Sequence, residues 1–308
     1  MNFSIILPIF NEEKNIVKLN SDLHVVINKL KKHKFELIYV DDCSKDNSYK
    51  KLLSLKNNFP TKIIQHRINL SQSDAIRTGV EYSKYDNLIF LDSDLQNDPF
   101  DIIKMLKAFE NKCDMVIGWR KDRKDSLVKK IPSVIANFLV RFFTNSQAKD
   151  HGCAIKVLKK IVYNASSNLG DFHRLLAAEA YNQGFLIKQV EVKHNKRVHG
   201  KSNYGLDRIP KVLLDLIYLT FIKSYKNKTL YFFGAFSYFF LIASFLIFIL
   251  MIYIKYIKGY SFILTPLPIL ASTFFIMSIN FLLIGILAQL NTPKKNLRIH
   301  SIKKIKDL

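Results

Sequence analysis

The chain has 308 residues, of which 49% are hydrophobic and 23% charged, and its formal net charge is +22. That length suits one large domain or two modest ones, and the two fractions coexist by segregation: 230–290 is almost uncharged, and what precedes it is mixed and polar. This excludes a uniformly polar soluble chain. The excess of Lys and Arg asks for an anionic partner, for which a membrane surface fits the apolar tail best. The basic residues are dispersed and form no aromatic-rich module, which argues against nucleic acid. Three cysteines, Cys43, Cys113 and Cys153, are odd in number and lack metal spacing, so a reduced cytosolic setting is expected. Met1 leads almost directly into the strand-like Phe3 to Leu7, and no signal peptide is expected.

In chain order, apolar strand candidates alternate with helical patterns. Ser4 to Leu7 is a strand, and a helix follows near Glu13 to Lys31, then a strand at Phe35 to Val40. Asp46 or Ser44 caps a helix running to about Lys56. Ile63 to Gln65 is a short strand, Gln72 to Ser83 a helix, Leu88 to Leu91 a strand, Pro99 to Asn111 a helix and Asp114 to Gly118 a strand. Such alternation predicts an α/β class with a mostly parallel sheet between helices. Beyond Gly118 a charged loop precedes 131–144, where Ile131, Val134, Ile135, Phe138, Leu139, Phe142 and Phe143 share one helical face, packed in a core or lying on a bilayer. A mixed helix and strand region follows Asp150, then a strand at Phe185 to His194. Arg197 to Tyr204 is a polar loop, and 209–228 holds a second amphipathic stretch from Ile209 to Tyr225.

Leu230 to Ile254 and Phe262 to Leu290 are each long enough to cross ~30 Å of hydrocarbon. Pro266 and Pro268 mark the start of the second helix. Lys223, Lys226 and Lys228 precede the pair, and Lys294, Lys295, Arg298, Lys303, Lys304 and Lys306 follow it, whereas the turn holds only Lys255 and Lys258. That bias predicts an inner-membrane protein with both termini cytoplasmic. The expected division is a cytosolic domain over 1–208, an interfacial helix at 209–228, a two-helix membrane domain at 229–291 and a basic tail at 292–308.

The segment Leu88 to Pro99 ends an apolar run on two carboxylates, Asp92 and Asp94. Carboxylate oxygens are hard donors suited to Mg2+ or Mn2+, and strand ends are where open α/β sheets bind ligands. The ordinary alternative is a strand end leading into a helix with Asp98 as N-cap and Pro99 at its first position. What tips the balance is company at the neighbouring strand ends: Pro8-Ile9-Phe10-Asn11-Glu12 at the first, and Asp41-Asp42-Cys43-Ser44-Lys45-Asp46 at the second.

Those strings, followed by Arg67-x-Asn69 with Ala75 and Gly79, then Asp92-Ser93-Asp94-Leu95-Gln96, then Gly118-x-Arg120, resemble the family 2 glycosyltransferases of GT-A fold. Within them the chain is most similar to the polyprenyl-phosphate sugar transferases, the group of dolichol-phosphate mannose synthase and the bacterial undecaprenyl-phosphate transferases. His173-Arg174, Arg197-Val-His-Gly-Lys-Ser202-Asn-Tyr204 and the two apolar spans extend the likeness over nearly the whole chain.

The resemblance implies that Pro8, Asn11 and Glu12 shape a nucleotide-sugar pocket with Asp41, Asp42, Asp46, Asn69, Asp92 and Ser93. It implies that Asp92, Asp94 and Gln96 meet a Mg2+ or Mn2+ ion, and that Arg120, His173, Arg174, Arg197 and Ser202 handle phosphates. The acceptor is expected to be a polyprenyl (undecaprenyl) phosphate and the donor a UDP-sugar, with inversion at the anomeric centre and room for a homo-oligomer. A lipid phosphate is already ionised at neutral pH, so little base activation is needed; Asp94 or Asp171 are the candidates for orienting it. Leu70, Ser71 and Cys43 stand where the family often has Gly, and the turn at Cys43 is expected to form without a positive φ. Several of these residues have plainer readings. Arg174 can pair with Glu179 or Asp171, His199 can shape its loop, and Trp119 can be core or lie under the sugar; Asp150 carries more weight than His151. No His or Cys cluster suggests zinc. Other classes are a polymer-forming family 2 synthase, although no Gln-x-x-Arg-Trp segment occurs, and a non-catalytic nucleotide-sugar-binding scaffold.

Overall fold

The structure is a computed structural model of the chain, and it describes residues 1–110, 112–121, 140–141, 146–166, 172–195, 221, 225, 228–259, 261 and 265–291. Two compact units divide it, one within 1–219 and the other within 220–296.

The first unit is a mixed seven-stranded sheet with helices on both faces. Its elements are β1 (Asn2–Ile9), α1 (Ile16–Lys29), β2 (Lys34–Asp41), α2 (Ser48–Leu53), β3 (Thr61–Gln65), α3 (Gln72–Glu81), β4 (Asn87–Phe90), α4 (Asp101–Glu110), β5 (Met115–Trp119), β6 (Lys156–Lys159), α5 (Lys160–Ala165), α6 (Phe172–Asn182) and β7 (Ile187–Glu191). The strand order is β3-β2-β1-β4-β6-β5-β7. Strands β3, β2, β1 and β4 run parallel, whereas β6 is antiparallel to both its neighbours β4 and β5. The central strands are apolar on both faces because both faces are covered: β1 is buried from Phe3 to Ile9 and β2 from Phe35 to Asp41. One layer joins the sheet to Leu19, Leu23 and Val26 of α1 and to Met105 and Phe109 of α4. The other joins it to Ala75, Ile76 and Val80 of α3, Val162 of α5 and Leu176 of α6. Helix α3 approaches β1 so closely that a Cβ on Gly79 would stand 2.4 Å from Cγ2 of Ile6.

The sequence reading places these elements, with two differences. The second helix is shorter than expected and begins at Ser48 after Asn47. Asp46 nonetheless binds its first N–H, Ser48 N to Oδ1 at 2.9 Å, while the Ser44 hydroxyl is used elsewhere. The strand β6 had no counterpart among the expected strands, and its insertion makes the sheet mixed.

The second unit is a helical hairpin, α7 (Thr229–Lys258) and α8 (Leu267–Asn291). Thr229 bonds Gln289 at 3.0 Å, Ser237 bonds Ser278 at 3.2 Å and Ser244 bonds the Ala271 carbonyl at 2.8 Å, an antiparallel ladder of small polar groups. Gly285 lets the Leu230 and Phe233 turn come close, the pattern of small residues between apolar helices. Both helices are long and apolar enough to cross a membrane, and only 11% and 17% of their most apolar windows are buried, which is unlike core helices of a soluble protein. Gly259 closes α7 in the left-handed conformation at φ 70°. The amphipathic stretches 131–144 and 209–228 fall outside the described residues except for a few positions.

Candidate active site

Parallel pairing brings the C-terminal ends of β1, β2 and β4 to one edge: Ile9 is in register with Asp41, and Ile6 with Phe90, two residues before Asp92. Backbone and side-chain bonds lock these ends together. Asp42 N donates to the Ile9 carbonyl at 2.8 Å, and the buried Ser93 hydroxyl donates to the Pro8 carbonyl at 2.9 Å. The loop after β1 is zipped to the loop after β2. Asn11 N donates to Ser44 Oγ at 2.9 Å and Lys45 N to Asn11 Oδ1 at 2.8 Å, while Glu12 N donates to Ser48 Oγ at 2.8 Å and Glu13 N to Asp46 Oδ2 at 3.2 Å. The Glu12 carboxylate accepts from Asn15 Nδ2 at 2.5 Å.

The two acids at the end of β2, Asp41 within it and Asp42 just after it, are buried and engaged. Asp41 accepts from Ser44 N and from Gln65 Nε2, at 3.3 and 3.0 Å. Asp42 is 2.8 Å from His66 Nδ1 and accepts from Leu70 N at 3.0 Å and Asn69 Nδ2 at 2.9 Å. His66 Nε2 meets Thr78 Oγ1 of α3 at 2.9 Å. Asp42 and Asn69, both expected at the nucleotide, therefore hold each other and set the loop that leads into α3. Cys43 is a correction: its φ is +61°, so the turn does use the left-handed region, at the cost a Cβ carries there. Asn11 and Leu95 share that conformation at φ 56° and 59°. Ser71 has φ 173°, extended backbone that any residue adopts, which is why glycine is not needed there.

After β4, Asp92 is half-buried and its Oδ1 accepts from Gln72 Nε2 of α3 at 2.5 Å. Asp94 is buried, and its Oδ1 accepts from Gln96 N at 3.1 Å. Asp98 binds Phe100 N at 3.0 Å and so takes the turn before α4, which starts at Asp101. Helix initiation is thus served without Asp92 or Asp94. Among the described residues no group of three or more His, Cys, Asp or Glu side chains is arranged to hold a metal. Two carboxylates and the Gln96 amide are a sparse hard-oxygen set. It fits Mg2+ or Mn2+ completing its shell with water and diphosphate oxygens, and does not fit a closed zinc cage.

The sequence profile of Glycosyl transferase family 2 matches residues 4–168, more than half of the chain and all of the elements just described up to α5. The chain belongs to that family. A dodecaprenyl-phosphate galacturonate synthase of Rhizobium johnstonii is 30% identical over 297 residues, which cover 94% of this chain and 87% of that protein. An undecaprenyl-phosphate 4-deoxy-4-formamido-L-arabinose transferase of Shewanella sediminis is 30% identical over 70% of this chain and 65% of its own length. These relatives are polyprenyl-phosphate sugar transferases, the group that the motifs resemble. Among solved structures, glucosyl-3-phosphoglycerate synthase of Mycobacterium tuberculosis in complex with Mg2+ and UDP aligns with TM-score 0.54 at 14% identity, over 70% of this chain and 79% of that chain. Its complex with Mn2+, UDP and phosphoglyceric acid gives the same TM-score over 72% and 78%. That likeness shows the shared GT-A fold.

In this family 2 glycosyltransferase the edge continues onto β5 and β6. Arg120 follows β5 and forms a two-pronged pair with Asp150, Nε to Oδ2 at 2.7 Å and Nη2 to Oδ1 at 2.9 Å, both side chains nearly buried. Arg120, a residue expected to meet phosphate, is thus held by the Asp150 carboxylate. Burial pushes the His151 imidazole down to about 4, helped by Lys156 and Arg141 and opposed by Asp150. Trp119 is half-buried with the Lys149 ammonium 4.2 Å from its ring centre, so it is a cation platform at the strand end.

The sequence reading missed three residues that bond the groups at this edge. Gln72, which binds Asp92, and His66, which binds Asp42, sit on the loop and helix after β3, and nothing in their neighbours signals either bond. Lys156 is 2% exposed at the start of β6, and its Nζ donates to the Cys153 carbonyl. Its signal is a lone charge inside Ala154-Ile155-Lys156-Val157-Leu158. Burial pushes its pKa down, while Cys153, Asp92 and Asp150 push it back up and Arg120 adds to the lowering. Asp171, Arg197 and Ser202 lie outside the described residues, as do the side chains of His173 and Arg174 at the start of α6.

Proposed function

We propose that this chain is an inverting glycosyltransferase that moves a sugar from a nucleotide-sugar, a UDP-sugar by preference, to a polyprenyl phosphate at the cytoplasmic face of the inner membrane. The observation that carries the reading is the meeting of Asp92 and Asp94 with the zipped β1 and β2 loops at one sheet edge, in a chain that aligns over 94% of its length with a polyprenyl-phosphate sugar synthase. The UDP held with Mg2+ or Mn2+ by the structural neighbour supports the donor and the ion. In this reading 1–208 is catalytic, 209–228 lies at the interface, 229–291 anchors the enzyme and 292–308 is a basic cytoplasmic tail.

The chemistry follows from charge. A phosphate oxygen of the lipid attacks the anomeric carbon as the bond to the diphosphate breaks, and the nucleoside diphosphate leaves with the electron pair. Asp92, Asp94 and Gln96 would hold a divalent cation that offsets the charge gathering on that leaving group. Asp42 and its partners His66 and Asn69 fix the loop against which the nucleoside lies. Gln72 fixes the Asp92 carboxylate, and Arg197 and Ser202 would meet the phosphates. Attack opposite the leaving group inverts the carbon.

The test is nucleotide release by the purified full chain in detergent with Mn2+ and a panel of nucleotide-sugars. Release is expected only when polyprenyl phosphate is added, and Asp94→Asn is expected to remove it. Release that ignores the lipid and requires a sugar polymer would overturn the proposal.

A further inference from the structure

The turn from Asp94 to Gln96 holds Leu95 at φ 59°, a conformation in which a residue with a side chain stays only under constraint. The constraint acts on both ends of the Gln96 backbone. Its N–H donates to Asp94 Oδ1 at 3.1 Å, and its carbonyl accepts from Asn195 N at 2.9 Å. Asn195 lies beyond β7, in a segment whose backbone N–H groups reach three different parts of the fold. Val192 N donates to the Trp119 carbonyl at 3.0 Å, Lys193 N to Asp101 Oδ2 at 2.7 Å, and Asn195 N to Gln96. A bridge between Asn97 and His194 sets the two runs antiparallel. Asp101 is the first residue of α4 and is 5% exposed, and its other oxygen takes the Lys104 ammonium at 2.9 Å. An acid in the first turn of a helix complements the macrodipole without needing to be buried. This one is buried on a backbone N–H of another element, so that 96–101 and 193–195 close a ring of chain through two hydrogen bonds.

We infer that Asp101 is a positioning residue for the cation site: by holding the Lys193 N–H it keeps Asn195 N on the Gln96 carbonyl, and so fixes the turn that carries Asp94 and Gln96. The inference rests on the reading of Asp94 and Gln96 as cation ligands. Mg2+ demands near-ideal ligand geometry, so a turn already held in shape binds it better than one that must be ordered at the moment of binding. Without the Asp101 carboxylate the 192–195 segment loses an anchor and Gln96 is held firmly on one side only. The cost of ordering the turn then comes out of the binding energy of the ion. The nucleoside end is built separately, from the bonds that His66, Asn69 and Leu70 make to Asp42. Binding of a nucleotide without metal is therefore insensitive to this clamp, whereas its metal-dependent share is not.

The experiment measures UDP alone and Mn2+ in the presence of UDP by titration calorimetry on the full chain in detergent. Asp101→Ala is expected to weaken Mn2+ by on the order of tenfold, the worth of a lost hydrogen bond, and to leave UDP alone unchanged. Asp101→Asn keeps an acceptor for Lys193 N and is expected to bind Mn2+ like the parent although it gives up the Lys104 pair. Lys104→Ala, which removes only that pair, is expected to do the same. Asn195→Pro deletes the donor to Gln96 directly and is expected to match Asp101→Ala, with the double variant no weaker than either single one. It serves in place of Asp101→Ala if that variant impairs folding, as read by the melting temperature. The inference is overturned if either Asp101→Ala or Asn195→Pro binds Mn2+ like the parent, or if Asp101→Asn is as weak as Asp101→Ala, which would make the charge at the helix start decisive. It is overturned equally if UDP alone weakens by the same factor as Mn2+, the mark of a general loss of structure. A parent protein that binds no Mn2+ in the presence of UDP would instead overturn the cation-site reading, and this inference with it.

Discussion

Asp150→Asn probes the pair that closes the site on the β5 side. The Arg120 side chain is 11% exposed and that of Asp150 4%, and the guanidinium engages both carboxylate oxygens at 2.7 and 2.9 Å. An amide in place of the carboxylate keeps one acceptor and turns an N–H pair toward the guanidinium, so one prong is lost and a buried cation is left without its counter-ion. Breaking a buried pair in this way costs about 3–5 kcal/mol, and the retained acceptor puts the Asn variant near the lower end, about 3 kcal/mol. Trp119 is the only tryptophan in the chain and immediately precedes Arg120, so its fluorescence reports this region directly during urea unfolding of the full chain in detergent. The midpoint is expected to fall with the slope unchanged. The double variant Arg120→Met with Asp150→Leu is expected to recover most of the loss, because neither charge is then stranded. An Asn variant within about 1 kcal/mol of the parent, or a double variant as unstable as the two single losses added together, would refute the reasoning.

Two further outcomes are expected. His151 is held neutral in the fold, with its pKa pushed from 6.5 down to about 4, so below pH 6.5 the unfolded chain takes up a proton that the folded chain refuses. Stability from this residue is therefore intact above pH 6.5 and drains away as pH falls toward 4, by about 3 kcal/mol in all. Urea midpoints at pH 7 and 4.5 should converge for His151→Gln relative to the parent, and an identical pH slope in both proteins would sink the idea. Gly79→Ala places a methyl 2.4 Å from Ile6 Cγ2 in the middle of the sheet, and overpacking of this kind costs about 1–3 kcal/mol. Combining it with Ile6→Val should return part of the lost melting temperature; a Gly79→Ala protein that melts with the parent would show that α3 yields freely.

The alternation of apolar strands and amphipathic helices was legible through β5 because a parallel strand covered on both faces is written as an uninterrupted apolar run. Strand β6 was not, for it has four residues, opens on Lys156 and ends on Lys159, and a charge inside an apolar run reads as a loop unless its burial is known. The acids at the strand ends were visible as a set because pairing brings them to one edge. Their division of labour was not: Asp42 and Asp92 look alike in sequence, yet Asp42 is wrapped by His66, Asn69 and Leu70 N, while Asp92 is reached by Gln72 of α3. Cys43 shows a different limit. Its neighbours say a tight turn, but the sign of φ is decided by the bond from Asp42 N back to β1 and by the Cys43 thiol reaching the Arg67 carbonyl at 3.6 Å, contacts distant in sequence.

The reversed direction of β6 has a consequence for the pair of Arg120 and Asp150. Because β6 runs antiparallel to β5, β5 ends and β6 begins at the same edge of the sheet. Arg120, just after β5, and Asp150, a few residues before β6, clasp each other at that edge, like the pin of a hinge. The distance that the clasp must span is therefore set by the pairing of β5 with β6 and not by the length of chain between Arg120 and Asp150.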